Sequence, residues 1–254
     1  MKWVQIVFSP TGGTQKVADI LTKSLTNTYT TVDLSDRTDD FSQYRFDADD
    51  LCLVAVPSFG GRVPGIAMER IKKITGGNAR AILVVVYGNR AYEDTLLELK
   101  NGLKGSGFRC VAAVTAIAEH SIFHQFATGR PDARDKEKLI SLAGQIHDSL
   151  TLGAVSDDVL VPGNAKYKEF KGSSLAPKAD DRCNGCGLCA QKCPVGAIPA
   201  DDPSKIDADR CIGCMRCIAL CPQEARHVNK MLLVAGAQKL KKACAARKHN
   251  DIFI

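Results

Sequence analysis

Eight of the eleven cysteines in this 254-residue chain fall in two runs. They read Cys183-Asn-Gly-Cys186-Gly-Leu-Cys189-Ala-Gln-Lys-Cys193-Pro194 and Cys211-Ile-Gly-Cys214-Met-Arg-Cys217-Ile-Ala-Leu-Cys221-Pro222. Each has the spacing C-x2-C-x2-C-x3-C-P. Three thiolates that close on a Gly-bearing loop can hold three irons of one cubane cluster. The fourth Cys opens a helix-like segment that points away, so it ligates the other cluster. The expected sets are Cys183, Cys186, Cys189 and Cys221 for one [4Fe–4S] cluster, and Cys211, Cys214, Cys217 and Cys193 for the other. A zinc ribbon uses two C-x2-C pairs, without a third Cys and a closing Cys-Pro. Disulfides need an oxidising compartment, and tight triplets make poor bridges. No C-x-x-C-H occurs, so covalent haem attachment is out.

From about residue 180 to 229 the chain closely resembles the bacterial two-cluster ferredoxin. The resemblance implies a compact, pseudo-twofold domain carrying one electron per cluster at low potential. A chain of 254 residues is too long for that alone and predicts a second domain. The apolar run Met1–Ser9 is too short for a secretory core, and no apolar run reaches the ~18 residues of a membrane span. Eleven cysteines point to a reducing cytoplasm. The formal charge of +6 is no argument for nucleic acid. Eight ligating thiolates remove eight charges and two oxidised cores of charge 2+ return four, which leaves about +2; a flavin phosphate removes roughly two more. The excess of Lys and Arg after Gln223 reads as an offset to the negative clusters nearby.

The second stretch with chemistry is Ser9-Pro10-Thr11-Gly12-Gly13-Thr14. It follows the apolar strand pattern Val4–Phe8 and precedes a helix pattern with Val17, Ile20, Leu21 and Leu25 on one face. A loop of hydroxyls and glycines between strand and helix suits a phosphate. N–H and O–H groups donate, glycine lets the backbone approach, and the helix N-terminus adds partial positive charge. It is neither a Walker loop nor a G-x-G-x-x-G turn. Ser9, Thr11, Gly12 and Thr14 resemble the Ser/Thr-x-Thr-Gly-x-Thr phosphate loop of flavodoxins, which binds the phosphate of FMN. Thr14 also reads as a good N-cap.

The rest of the first half must position that loop. Strand patterns recur at Tyr29–Asp33, Leu51–Val56, Ala81–Tyr87 and Cys110–Ile117, with helix patterns at Ile66–Ile74, Tyr92–Gly107 and Lys136–Leu150, the last capped by Asp132. Cys52 reads as a small buried hydrophobe. Five strands with intervening helices predict an α/β, doubly wound parallel sheet of flavodoxin-like order 2-1-3-4-5. Its ligand site lies outside the carboxyl ends of strands 1 and 3. The loops after strands 3 and 4 supply Ser58, Phe59, Gly60, Gly61 and Arg62, then Tyr87, Gly88, Asn89, Arg90 and Tyr92. Glycines there free backbone amides for a flavin ring, and Phe59 and Tyr92 are the stacking candidates. Flavodoxins usually frame the ring with a Trp and a Tyr, whereas the only Trp here is Trp3 in strand 1. Arg62 and Arg90 either approach the ring, raising its potential, or stand solvated. The segment Glu119–Asp132 either covers the flavin or docks the second domain, with His120 and His124 as proton donors or as packing groups.

These patterns divide the chain into a flavodoxin-like unit at 1–152, an extended linker at 153–179, a cluster unit at 180–229 and a basic helical tail at 230–254. In the linker, Lys166-Tyr167-Lys168-Glu169-Phe170-Lys171 either lies near the cofactor or is solvated. In the tail, Leu232, Leu233, Ala237 and Leu240 can pack with Lys239, Lys241 and Lys242 outward, and Cys244 reads as a bystander. Taken whole, the chain resembles the fused flavodoxin–ferredoxin proteins of anaerobic bacteria and archaea. The resemblance rests on the Ser9–Thr14 loop, Tyr87-Gly-Asn-Arg-Ala-Tyr92 and the two cysteine runs in that order. It implies electron transfer between FMN and two [4Fe–4S] clusters, with redox proteins as donors and acceptors and homo-oligomerisation left open. The alternative is an FMN-dependent reductase fed by its own clusters. A nucleic-acid-binding redox sensor is the weakest reading.

Overall fold

The computed structural model describes residues 2–170, 172 and 175–254. Met1 and the Lys171 of the linker run lie outside them. The chain begins with β1 (Trp3–Val7), α1 (Gly13–Leu25), β2 (Thr30–Asp33), β3 (Leu51–Pro57), α2 (Gly65–Ile71), β4 (Arg80–Tyr87), α3 (Thr95–Gly105), β5 (Arg109–Ile117) and α4 (Ala133–Thr151). The small C-terminal elements are β6 (Lys178–Ala179), α5 (Leu188–Gln191), α6 (Arg216–Ala219), β7 (Arg226–His227), α7 (Lys230–Cys244) and β8 (Asp251–Phe253).

The main sheet has the order β2-β1-β3-β4-β5-β8. Its first five strands are parallel and follow the doubly wound order 2-1-3-4-5 read from the sequence. The central strands are apolar along their whole length because helices cover both faces. One face packs Val54, Val56, Leu83 and Val85 against Ala67, Ile71, Leu96 and Leu99 of α2 and α3. The other packs Leu53, Val84 and Val114 against Val17, Leu21, Leu139 and Leu142 of α1 and α4. Asp132 caps α4 as expected, in a reciprocal capping box with Asp135. The cap of α1 differs from the expectation: Gly12, with φ 87°, holds that position, and Thr14 lies inside the first turn. The Oγ of Ser9 instead accepts from the N–H of Gln15 at 2.9 Å.

The sixth strand, β8, is antiparallel to β5 and is the last three-residue strand of the chain. Asp251–Phe253 is too short to show a period, so the sequence gives no sign of it. Its anchor is Asn250, whose side chain accepts from the N–H of Ile117 at 3.0 Å and donates to Asp135 at 3.2 Å. The helix read in the basic tail ends at Cys244, and the following turn brings the chain back onto the first unit. Asn89 holds that turn, donating to the carbonyls of Cys244 and Ala246 and accepting from the N–H of Lys248. Cys244 therefore matters through its backbone carbonyl.

The linker is tethered at several points. Asp94 accepts from the N–H groups of Asn164 and Lys168 at 2.8 and 2.7 Å. Asn101 donates to the Tyr167 hydroxyl, and Arg62 lies 4.9 Å above the Tyr167 ring. Two residues beyond Lys168, the Phe170 ring rests on Gly60. A Cβ at Gly60 would sit 2.3 Å from that ring.

Asn250→Ala is expected to lower stability by about 1–3 kcal/mol, because it leaves the Ile117 N–H buried without an acceptor and removes a partner of Asp135. Urea unfolding followed by far-ultraviolet circular dichroism checks this; an unchanged midpoint would show that β8 is not held by Asn250.

Candidate functional site

A cleft runs across the carboxyl ends of β1, β3, β4 and β5, where a parallel sheet of this winding leaves room for a ligand. Its inner end is lined by Ser9, Thr11, Gly13 and Thr14 together with Ser58, Phe59, Tyr87, Gly88 and His120. Its outer end, a cavity of about 560 Å³, adds Gly60, Arg90, Phe170 and residues of α7. Six residues, Ser58, Phe59, Tyr87, Gly88, His120 and Ser121, line both ends, so the two are continuous.

The inner end fits an anion. Among the described residues, none of the N–H groups of Thr11, Gly12, Gly13 and Thr14 has a protein acceptor. These are the free donors of a loop running into a helix N-terminus. Gly12 meets no atom within 4 Å of a built Cβ, so its open face is free. The guanidinium of Arg216 approaches from the cysteine-rich unit. It lies 3.5 Å from the Ser9 carbonyl and 3.8 Å from the Asp33 carboxylate, and its Nε is buried without a partner. A phosphate held by the loop would sit beside a cation whose own bonds are weak and incomplete.

The outer end has mostly apolar walls, with the cations Arg90, Lys168 and Lys239 at its edge. Phe59 and Tyr87 line it, and Phe59 packs edge-on to Phe8 at 6.5 Å between ring centroids. Tyr92, the other stacking candidate, does not line the cleft; it packs into the core and meets Tyr87 edge-on at 5.3 Å. The side chain of Asn89 is spent on the C-terminal turn. Arg62 is turned toward α3, paired with Glu98 at 2.7 Å. Gly61 lies under Glu93, whose carboxylate would clash with any Cβ there. Ser58 shares a 2.7 Å hydrogen bond with Thr95. Arg90 does reach the cleft, but Glu93 pairs with it at 2.8 Å and also takes Lys168. Those two cations hold the Glu93 carboxyl down at about 2.

His120 and His124 part company. His124 is exposed and paired with Glu119 at 2.7 Å, outside the cleft lining. His120 is packed against Gly88, where a Cβ would come within 2.7 Å of the imidazole. Its Nδ1 accepts from the N–H groups of Ile122 and Phe123 at 3.2 and 3.3 Å. The proton of the neutral ring therefore sits on Nε2. Burial, with His124 and Arg90 nearby, pushes His120 down to about 4. At neutral pH it is a fixed donor and not an acid. The linkage has a definite sign: between the ordinary value near 6.5 and about 4, the folded chain holds fewer protons here than the unfolded one, so acidification through that window costs stability.

The eight motif cysteines sort into two cavities of four. One is lined by Cys183, Cys186, Cys189 and Cys221. The other is lined by Cys193, Cys211, Cys214 and Cys217. The fourth Cys of each run crosses to the other cavity because α5 and α6 carry it away from its own loop. Among the described residues no three His, Cys, Asp or Glu side chains converge on a point that would hold a single metal ion. The cysteines line cavities, a spacing suited to a cluster larger than one ion. Burial pushes the thiols of Cys214 and Cys217 up to about 12, so a metal held there would have to displace a proton. Arg226 lines the first of these cavities and is buried, with its guanidinium on the carbonyls of Pro177, Pro203 and Lys205.

Residues 182–225 match the family model of the 4Fe-4S dicluster domain. This segment is less than a fifth of the chain. No curated protein matches the whole sequence. Among solved structures, the flavodoxin of Streptococcus pneumoniae TIGR4 is 18% identical, covering 58% of this chain and 99% of that one, with a TM-score of 0.41. Oxidised flavodoxin 1 of Bacillus cereus is 17% identical, covering 58% and 98%, at 0.41. An NADH:FMN oxidoreductase in its apo form is 14% identical, covering 58% and 89%, at 0.42. The fold assignment of the first unit rests on its own strand order and connections.

The cleft has a further wall that sequence spacing does not announce. Ile212 and Gly213 of the second cysteine loop line its outer end, and Cys214 lines its inner end. The face of α7 bearing Leu232, Ala235, Gly236 and Leu240 lines the cleft, and Gly236 lies close under the Phe123 ring. Met231 and Val234 on the other face are exposed. Ligand spacing tells what a loop binds and not which surface it docks on.

Nuclear magnetic resonance titration of the His120 ring is expected to show the neutral, Nε2-protonated tautomer from pH 8 down to 5. A midpoint near 6.5 would overturn the fixed-donor role.

Proposed function

We propose that this protein is an electron carrier that moves electrons between FMN bound in the cleft and two [4Fe–4S] clusters bound by the C-terminal unit. The observation that carries the reading is the sorting of eight cysteines into two cavities of four, with one cysteine loop forming a wall of a cleft that ends in a phosphate-type loop. When bound, the flavin exchanges one or two electrons and each cluster one. The chain's own residues do the rest. The N–H groups of Thr11–Thr14 and the nearby Arg216 hold a phosphate. Phe59 and Tyr87 give a ring an apolar surface, His120 offers it a fixed N–H donor, and Phe170 with α7 keeps water from its outer side. Fusion in one chain holds donor and acceptor together without dependence on protein concentration. Redox proteins are the exchange partners on this reading, and a chain whose cysteines hold clusters suits a reducing compartment.

One observation favours the reductase as a second reading. The outer cleft is a cavity of about 560 Å³, within the ~300–1,000 Å³ of usual ligand pockets, and it continues outward from the inner end that suits a phosphate. Turnover of a small acceptor by the loaded protein with an artificial donor would decide for it.

Anaerobically purified protein is expected to contain about eight irons and one FMN per chain. Eight irons without flavin, even after reconstitution, would overturn the FMN half. Thr14→Val is expected to weaken FMN about ten- to a hundred-fold and riboflavin little, since it removes a donor worth about 1.5–3 kcal/mol to a charged group. Equal loss for both ligands would show that the loop does not hold the phosphate.

A further inference from the structure

The two cysteine cavities are not equivalent with respect to the cleft. Cys214 lines both the second cavity and the inner cleft, and Ile212 lines both the second cavity and the outer cleft. None of Cys183, Cys186, Cys189 and Cys221 lines the cleft at either end. The bonds between the units show the same asymmetry. Arg70 of α2 donates to the Pro194 carbonyl at 2.7 Å, next to Cys193, and Arg216 reaches the Ser9 carbonyl from between Cys214 and Cys217. Among the described residues no hydrogen bond joins 183–189 or 221–224 to the first unit. Exposure leans the same way: Cys193 and Cys214 are buried and Cys211 and Cys217 half-buried, whereas Cys186 is exposed and Cys183, Cys189 and Cys221 are half-buried.

We infer that the set Cys193, Cys211, Cys214 and Cys217 is the inner relay that exchanges electrons with the cleft, and that the set Cys183, Cys186, Cys189 and Cys221 is the outer port facing a one-electron carrier protein. This rests on the proposed function and adds an order to it. One electron from a reduced low-potential carrier reduces the outer cluster. That cluster is reoxidised as the inner one is reduced, and the inner one is reoxidised as the flavin gains the electron. Two passes, with two protons from solvent, complete reduction of the flavin. The shared Cys214–Ile212 wall makes the last step a transfer within one chain, with no second copy needed.

The test uses the full chain with its clusters, stripped of FMN and reloaded. Electron paramagnetic resonance of the dithionite-reduced protein reads each cluster separately from flavin content. Reloading FMN is expected to change the line shape and relaxation of one cluster signal. That signal should be absent from Cys214→Ser and retained in Cys186→Ser. A change in the signal missing from Cys186→Ser, or in neither signal although FMN is bound, overturns the order and leaves the proposed function standing. FMN that does not bind, read by its fluorescence, overturns both. Because a lost ligand can prevent folding, Ile212→Glu keeps all eight cysteines. Its added carboxylate is expected to lower the midpoint potentials of the flavin and of the FMN-sensitive cluster and to leave the other unchanged. Equal shifts in both clusters, or a shift in the FMN-insensitive cluster alone, would also overturn it.

Discussion

The guanidinium of Arg70 is the joint on which the two halves of the molecule depend. Arg70 is buried, at 6% exposure, and its guanidinium lies 5.4 Å from the Phe41 ring. Two carbonyls take its bonds: Leu34, just past β2, at 2.6 Å and Pro194, just past a cluster ligand, at 2.7 Å. Burying a cation is costly unless its donors are satisfied, and burial here pulls Arg70 below its ordinary value. The rigid fork of an arginine satisfies that need only when both carbonyls are in place. The first unit therefore has a defined position for Cys193-Pro194, and through Cys193 for the cavity that borders the cleft.

Around that joint, several close approaches of backbone and side chain shape the cleft. Gly60 lets Phe170 lie on the loop after β3, Gly88 lets His120 lie on the loop after β4, and Gly236 lets α7 lie on Phe123. Each is a contact between segments far apart in sequence, and each would be pushed apart by a methyl group. The linker, the loop after β5 and the tail helix thus form walls of one cavity, although none of them belongs to the strand ends that define it. The C-terminal strand completes the closure by carrying the chain back to β5.

The sheet was legible because its strands are continuous apolar runs buried on both faces, with turn residues between them. The sorting of the cysteines into two groups of four was legible because their spacing is itself the geometry. The walls of the cleft were much less so. Asn89 and Tyr92 stand in the right loop, yet a positive φ of 64° at Asn89 aims its amide at the tail, and Tyr92 faces the core. Asp94 looks like an ordinary helix-start residue, but its carboxylate holds the linker through two backbone N–H groups. Such roles depend on which distant segment arrives, and no local pattern encodes that.

Charge in the cleft follows from the same arrangement. Arg62 and Arg90, read from the sequence either as cations near a ring or as solvated side chains, are both paired with carboxylates. Glu98 neutralises Arg62 away from the cleft, and Glu93 neutralises Arg90 within it while also taking Lys168. Glu93 thus faces two cations, which leaves that group with one net positive charge. Lys239 of α7 also lines the outer cleft, and among the described residues it has no acid partner. The outer end of the cleft is thus positive, its inner end is a phosphate-type loop, and the buried Arg226 lines one cysteine cavity. Charges are poorly screened where they are buried. The anionic groups that the cavities suit would offset these charges, and the basic formal charge of the bare chain reads as provision for them.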